Sequence, residues 1–310
     1  MNQYKPEGSL ISCAKNYEYV SSYEGLRAAY EKQIILEASV AMSDHNLNLI
    51  INFCPGIKGV IPKSEAIYSE QESVKDIAIL TRVGKVVCFK ILGFERDSSG
   101  GITAILSRRE AQRECAEKYT SRLTPGDIIP ARITHLESFG AFVDIGCGIT
   151  SLLSIDTMSI SRISHPSVRV SVGDFIYTVV KGRDELGRIY VSERELLGSW
   201  EENASLFKVG ETVTGTIRSV ESYGIFVELM PNLAGLAEFR GDVSPGQEAA
   251  VYIKSIIPGK MKIKLIIIDT HDKKEDRMPL DYFIDVEKTK RIDHWRYSPP
   301  ASERIIETCF

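Results

Sequence analysis

Alternating hydrophobic and polar residues predict short β-strands along much of the chain. In the stretch SFGAFVDIG at 138–146, strand geometry places successive side chains on opposite faces. One face carries Ala141 and Val143 and is the expected core. The other face carries Phe142 and Asp144, and we expect it to meet solvent.

The same pattern returns at 222–229 as SYGIFVEL, 84 positions further on. Tyr223 takes the place of Phe139, and Phe226 takes the place of Phe142. An offset that is constant through both motifs indicates a duplicated unit.

Each copy has a glycine between its two rings, Gly140 in the first copy and Gly224 in the second. A β-bulge at this glycine would turn both rings onto one exposed face. Unpaired bases stack on such aromatic platforms, at about 1–3 kcal/mol per base. For a single copy, two rings in the core would be the simpler interpretation, but the repetition favours a platform.

Further motifs of the first copy follow in order: GDII at 126–129, ISHPS at 163–167, SVGD at 171–174 and DELGRIYVS at 184–192. With SFGAFVDIG they resemble the S-one RNA-binding domain, a five-stranded OB fold named after the largest protein of the bacterial small ribosomal subunit. The resemblance extends over about residues 35 to 268, as three copies of unequal quality.

The resemblance implies a mainly β chain with three tandem five-stranded OB-fold barrels of the S-one type, joined by short helical linkers. The predicted division is an N-terminal helical arm at 1–34, a degenerate OB domain at 35–109, RNA-binding OB domains at 124–194 and 208–268, and a C-terminal extension at 269–310 packed on the third barrel.

The resemblance also carries RNA contacts onto Phe139, Phe142, Asp184 and Arg188. Arg188 offers a guanidinium to a phosphate or a base, and Asp184 would hold it in place. A weak surface ion pair is the alternative for these two residues. With the equivalent positions of the third unit, the predicted RNA-binding residues are Phe139, Phe142, Asp184, Arg188, Tyr190, Tyr223, Phe226, Lys260, Lys262 and Lys264.

The three lysines come from the run KMKIKL, in which alternation places them together on one strand face. They fall where the preceding copy has Arg188 and Tyr190, which favours nucleic acid over a merely solvated face.

Two departures from the family concern the binding surface. The family's third-strand histidine is absent, because the equivalent positions are Pro62, Ser154 and Glu238. The first unit lacks the platform, since HNLNL at 45–49 stands in its place. This unit is similar to degenerate domains of the family that dock onto protein.

Elements outside the repeats are predicted from local signals. Ser21 and Glu24 form a capping box that begins a helix in the arm. Leu196, Trp200, Ala204 and Phe207 recur at helical spacing in the second linker, and we expect this stripe to pack against the barrels. The extension is expected to form strands at 282–286 and 292–297 and a short helix at 302–308.

Composition restricts the possible partners and compartment. The net charge of −4 argues against a protein that binds duplex phosphates along its whole surface. The N-terminus has no apolar signal region, and no apolar run is long enough to span a membrane, so we expect a cytoplasmic protein. The six cysteines form no CxxC pair, which predicts reduced thiols and no metal site.

These observations predict a non-enzymatic binder of single-stranded RNA, mRNA in particular, acting in translation or RNA metabolism without a cofactor. P-loop, GxSxG and HExxH motifs are absent from the sequence. The first domain could contact the small ribosomal subunit. The alternative is a ribosome- or RNA-decay-associated module whose barrels chiefly bind protein, and the oligomeric state stays open.

Overall fold

The computed structural model describes residues 4–69, 75–96, 100–272 and 280–310. The chain divides into two compact units, one formed by 1–123 with 144–150 and the other by 124–143 with 151–310. The α-helices are α1 (Ala14–Val20), α2 (Tyr23–Glu31), α3 (Asp76–Leu80), α4 (Arg108–Lys118), α5 (Ile155–Met158) and α6 (Trp200–Ala204).

The first unit is built around one curled sheet. Its strands are β1 (Leu36–Ser39), β2 (Met42–Ser43), β3 (Leu49–Cys54), β4 (Ile57–Ile61), β5 (Val86–Arg96) and β6 (Ile102–Ser107), in the order β1-β5-β6-β4-β3-β2. The edge strands β1 and β2 are separated by only two residues, Val40 and Ala41, and so act as halves of one kinked strand. One half pairs with β5 and the other with β3, which joins the two edges of the sheet through the chain.

The second unit contains two closed five-stranded barrels. The second barrel has β7 (Ile128–Glu137), β8 (Gly140–Asp144), β9 (Thr150–Ser154), β10 (Phe175–Arg183) and β11 (Ile189–Ser192). The third barrel has β12 (Thr212–Glu221), β13 (Gly224–Met230), β14 (Leu233–Ala237), β15 (Glu248–Ile257) and β16 (Lys262–His271). In all three sheets the third strand pairs in parallel with the fifth, so the predicted tandem OB folds are confirmed.

Strand alternation predicts the core correctly and one surface residue incorrectly. Ala141 and Val143 are fully buried, as expected. Asp144, predicted to meet solvent, is buried, and its Oδ1 accepts hydrogen bonds from the backbone N–H groups of Gly146 and Gly148. The strand ends at this residue, so its carboxylate caps the following turn, and burial raises the pKa of Asp144 to about 7.

The N-terminal arm contains two helices rather than one. Ser22, not Ser21, caps α2, because its extended backbone lets the hydroxyl accept a hydrogen bond from the N–H of Gly25. Ser21 instead ends the preceding helix α1, which the sequence patterns did not predict.

The second linker forms α6 with a complete capping box between Ser199 and Glu202. The predicted apolar stripe packs inward: Leu196, Trp200 and Ala204 are buried, and Phe207 is half-buried. Trp200 belongs to the core of the third barrel. The helix thus becomes part of the second unit rather than a free connector.

The C-terminal extension packs against both barrels of the second unit. Trp295 and Tyr297 join the core of the third barrel, whereas Tyr282 and Ile284 pack against the second. The regular elements here are β17 (His294–Arg296) and β18 (Glu307–Cys309), which form a two-stranded sheet. The expected strand at 282–286 and the helix at 302–308 were wrong; β18 pairs with β17 where that helix was predicted to end.

Within the described residues, no helix is both long and apolar enough to cross a membrane.

Candidate nucleic-acid interface

Each barrel of the second unit presents a pair of aromatic rings at the start of its second strand. In the second barrel the centroids of Phe139 and Phe142 lie 6.1 Å apart with planes at 89°. In the third, Tyr223 and Phe226 are also 6.1 Å apart, at 85°. Phe139 is 52% exposed and Tyr223 68%. The rings therefore meet edge to face, so that one exposed ring of each pair stands upright beside a half-buried one.

The glycine between the rings packs closely against the third strand of its barrel. A Cβ on Gly140 would lie 2.4 Å from the carbonyl oxygen of Leu153, and one on Gly224 would lie 2.6 Å from that of Ala237. The bulge between β12 and β13 falls instead at Ile217 to Ser219. The prediction of a bulge at Gly224 was wrong, because Glu221 pairs with Gly224 and Val220 with Ile225 in unbroken register. Phe139 and Tyr223 precede their strands, so strand alternation does not assign them a face.

One residue of the ring cluster escaped the sequence analysis. The imidazole of His135 lies 6.3 Å from the ring of Phe142 with planes at 22°, a stacked arrangement. Its Nε2 also lies 2.8 Å from Glu137 Oε1. The family's histidine was sought on the third strand, where Ser154 stands, whereas His135 reaches the same platform from the first strand.

Strand register connects these residues into a row across the outer face of each barrel. In the third barrel Ser219 pairs with Phe226, Phe226 with Leu236, and Leu236 with Lys264. We call this set, listed from first to fifth strand, the cross-strand row. The row of the second barrel consists of His135, Phe142, Leu152 and Tyr190. The offset of 84 positions relates the first three to Ser219, Phe226 and Leu236. Tyr190 pairs with Leu152 as Lys264 pairs with Leu236.

The first sheet has a cross-strand row of a different character. Met42 pairs with Ile50, Ile50 with Val60, and Val60 with Ile105. The position of Phe142 is thus taken by Ile50, one residue beyond the predicted stretch 45–49. This row has no ring and no charge, and Met42 is 54% exposed. Apolar, non-aromatic side chains thus occupy the described row positions where the second barrel has its rings.

Asp184 and Arg188 form the expected pair in the turn before β11. Arg188 Nε donates to Asp184 Oδ2 at 2.7 Å, and the Arg188 backbone N–H donates to Asp184 Oδ1 at 2.8 Å. These bonds, the backbone one first, lower the pKa of Asp184. The Arg188 side chain is 72% exposed. Tyr190 follows on the strand, and its ring lies over Gly182, where a Cβ would be 2.8 Å from the hydroxyl.

The predicted lysine stripe is shorter than expected. Lys262 and Lys264 are exposed on β16 and lie on one face. Lys260 belongs to a 3-10 turn at Pro258–Lys260, and Met261 after it has a left-handed backbone with φ of 48°. That turn breaks the alternation, so Lys260 does not share the strand face.

A further exposed ring lies on the second barrel outside the cross-strand row. Phe175 is paired with Arg132 across β10 and β7, and the guanidinium carbon lies 5.3 Å from the ring centroid. This cation–π pair places a positive charge against an exposed aromatic ring. Its sequence signal is weak, because the two residues are 43 positions apart (132 to 175) and only the barrel brings them together.

Comparison with known proteins identifies the same barrel. The S1 (S-one) RNA binding domain family matches residues 122–193. The chain is 25% identical to the small ribosomal subunit protein bS1 homolog of Bacillus subtilis over 309 residues, or 98% of this chain and 77% of that protein. It is 27% identical to bS1 of Leuconostoc lactis over 72% of this chain and 54% of that protein, and 28% identical to bS1 of Rhizobium meliloti over 52% and 31%.

The chain therefore spans less than two thirds of the length of the Leuconostoc and Rhizobium proteins. Among solved structures, a multidomain protein with nucleic acid binding domains from Streptococcus pneumoniae aligns over 76% of this chain and 74% of its own, at 14% identity and a TM-score of 0.25.

Proposed function

Because the chain belongs to the ribosomal protein S1 family, we propose that it binds single-stranded RNA, mRNA in particular, and catalyses no reaction on it. The observation that carries this proposal is the cross-strand row of the second barrel. The rings of His135 and Phe142 stack on each other, and Phe139 meets Phe142 edge to face. Tyr190 extends the row on the fifth strand, where it pairs with Leu152.

This arrangement suits unpaired bases. An exposed ring offers its face to any base, and stacking is tolerant of sequence. In a duplex the base faces are covered by their neighbours, so the same rings have nothing to stack on. Arg188 at the edge of the row adds a charge for phosphate, with Asp184 fixing its direction.

The two cross-strand rows of the second unit differ in how they would bind RNA, one mainly by stacking and the other mainly by charge. Tyr190 and Lys264 occupy equivalent places, each beside a leucine of the third strand. His135 is likewise replaced by Ser219. The second barrel therefore supplies more ring surface, and the third supplies Lys262 and Lys264 for the phosphate backbone.

Buried polar contacts hold the two barrels together. Glu228 of the third barrel accepts hydrogen bonds from Arg169 of the second and from Arg218 of its own barrel, and its carboxylate is fully buried. Asn232 Oδ1 accepts from the N–H of Ile160 at 2.9 Å, and Asn232 Nδ2 donates to the carbonyl of Gly198. Because the barrels are held together, an RNA strand that has bound one barrel binds the other in an intramolecular step. This second step raises the overall affinity for RNA.

The aliphatic row of the first sheet supports a different role. Met42, Ile50, Val60 and Ile105 offer neither stacking nor charge. We propose that this sheet contacts protein on the small ribosomal subunit, in the cytoplasm. The second unit then provides the affinity for RNA. Met42→Ser should then leave RNA affinity within about twofold while weakening association with purified small subunits.

The test of RNA binding is the affinity of the full chain for a labelled, unstructured RNA oligomer, measured by fluorescence anisotropy. Phe142→Ala should lower it about tenfold, the loss of one stacked base. Tyr17→Ala, which removes an exposed ring from α1, should not. Equal affinity of the wild type for a hairpin stem and for the unstructured oligomer would refute the proposal and favour barrels that chiefly bind protein.

A further inference from the structure

The small C-terminal sheet has two faces of opposite character. Its register pairs His294 with Cys309, Trp295 with Thr308, and Arg296 with Glu307. The central pair points inward: Trp295 is buried in the core of the third barrel, and Thr308 is buried as well. The side chains of the two flanking pairs therefore share the outer, exposed face.

Three of these outer residues carry metal-ligating atoms that lie close together. A nitrogen of His294, a carboxylate oxygen of Glu307 and the sulfur of Cys309 all lie within 4.8 Å of one another. His294 Nε2 is 3.3 Å from Glu307 Oε2. Within the ranges that the structure describes, no other three histidine, cysteine, aspartate or glutamate ligand atoms come so close.

We propose that His294, Glu307 and Cys309 form a surface site for Zn²⁺, with water as the fourth ligand. Zinc bonds are about 2.0–2.3 Å long to nitrogen, oxygen and sulfur, and its ligands stand at tetrahedral angles. Neighbouring ligand atoms of such a site are then about 3.3–3.8 Å apart. The observed distances between the ligand atoms, 3.3 Å for one pair and within 4.8 Å for all three, approach this range. Rotation of the exposed side chains would bring the atoms the rest of the way together.

The donor set selects the metal. A thiolate and an imidazole favour Zn²⁺ and similar borderline ions over Mg²⁺ or Ca²⁺, which prefer oxygen donors alone. On binding, the Cys309 thiol releases its proton to solvent, and the thiolate forms the sulfur–zinc bond. The predicted absence of a metal site rested on the lack of a CxxC pair, a test that misses ligands brought together across a sheet.

The backbone under the site is held from the inner face. Thr308 donates a hydrogen bond to Glu195 Oε1 at 2.9 Å, and the flanking Phe310 N–H donates to the carbonyl of Asp293. A fixed backbone keeps the three ligands near one another before the metal arrives, which reduces the cost of ordering them.

The test uses the reduced, chelator-treated full chain and Co²⁺ as a spectroscopic substitute for Zn²⁺. One equivalent of Co²⁺ should give tetrahedral visible bands together with a near-ultraviolet sulfur-to-cobalt charge-transfer band, and Zn²⁺ should abolish both. Cys309→Ser should remove the charge-transfer band, and His294→Gln and Glu307→Gln should each weaken Co²⁺ binding at least tenfold.

Matched controls come from the same chain. Cys13→Ser changes the other exposed cysteine, and Glu303→Gln changes an exposed carboxylate four residues from the site; both should bind as the wild type does. Circular dichroism checks that each variant is folded. The site is refuted if Co²⁺ gives no charge-transfer band, if that band survives Cys309→Ser, or if His294→Gln binds as tightly as the wild type.

Discussion

The imidazole of His135 stacks on the ring of Phe142, and the equivalent pair in the third barrel is Ser219 and Phe226. This difference makes His135 a candidate base-stacking residue that the third barrel lacks. His135→Ala should weaken binding of an unstructured RNA about fivefold to tenfold, because a ring is lost from the row. Anisotropy titration of the full chain measures it.

Two variants control for this prediction. Ser219→Ala, at the equivalent position, should change the affinity less than twofold. His135→Phe should restore binding, since it keeps an aromatic face without the imidazole. If His135→Phe binds as poorly as His135→Ala, the imidazole acts through its contact with Glu137 and not by stacking.

Lys264 and Tyr190 occupy equivalent strand positions but should act on RNA through different forces. Changing Lys262 and Lys264 together to Gln should reduce the slope of log affinity against log salt by about 1.4, since each phosphate contact to single strands contributes about 0.7. Tyr190→Ala should lower the affinity without changing the slope. The measurement is a salt titration with an oligomer long enough for both barrels.

Lys260→Gln tests whether the salt dependence comes from lysines on the strand face or from any nearby positive charge. Because Lys260 lies in the turn before β16, it should change the slope less than either strand lysine does. An unchanged slope in the double variant would show that the two lysines are merely solvated.

The sequence predicted what depends on local pattern. The repeat offset and the strand alternation at Ala141 and Val143 follow from periodicity, and the tandem OB folds follow from the family resemblance of the ordered motifs. Met261 shows the limit of such patterns, since its left-handed backbone interrupts an otherwise regular alternation. Nothing in KMKIKL distinguishes a turn followed by a strand from one longer strand.

Contacts between distant segments could not be predicted in this way. His135 meets Phe142 through the pairing of two strands, and His294 meets Cys309 across another sheet. Asp144 was expected in solvent because alternation assigns a face but not what covers it. The register between strands, which these cases require, is set by tertiary packing.

Gly140 should be intolerant of a side chain because β8 passes close to β9. Its Cβ would lie 2.4 Å from a backbone oxygen, which cannot move without shifting the strand. Gly140→Ala should therefore destabilise the second unit by about 1–3 kcal/mol. Gly241→Ala, where no atom lies within 4 Å of the added carbon, is the control and should have little effect. Equal urea midpoints for the two variants would contradict the close-packing argument.

Glu193 should make the stability of the second unit depend on pH. Its carboxyl group is fully buried, its Oε1 accepts from the Tyr282 hydroxyl at 3.2 Å, and its Oε2 has no hydrogen-bond partner within the described residues. Burial raises the pKa of Glu193 from 4.5 to about 8, against smaller opposing effects of Tyr282 and Arg169.

The direction of the pH dependence follows from the protonation of Glu193 in the folded and in the unfolded chain. Below pH 4.5 the carboxyl is protonated in both the folded and the unfolded chain, and burial carries no ionisation penalty. Between pH 4.5 and 8 the unfolded chain releases this proton while the folded chain retains it, so stability falls as pH rises. Above pH 8 the loss is complete. It is on the order of a few kcal/mol, since one pKa unit corresponds to about 1.4 kcal/mol.

Glu193→Gln should remove this dependence because glutamine stays neutral. The variant should match the wild type in urea unfolding at pH 4.5 and exceed it at pH 8.5. Tryptophan fluorescence reports the right unit, since Trp200 and Trp295 both lie in the core of the third barrel. Glu201→Gln, an exposed change in α6, should shift stability equally little at both pH values. A stability difference between Glu193→Gln and the wild type that is the same at pH 4.5 and 8.5 would show that the buried carboxyl does not titrate as argued.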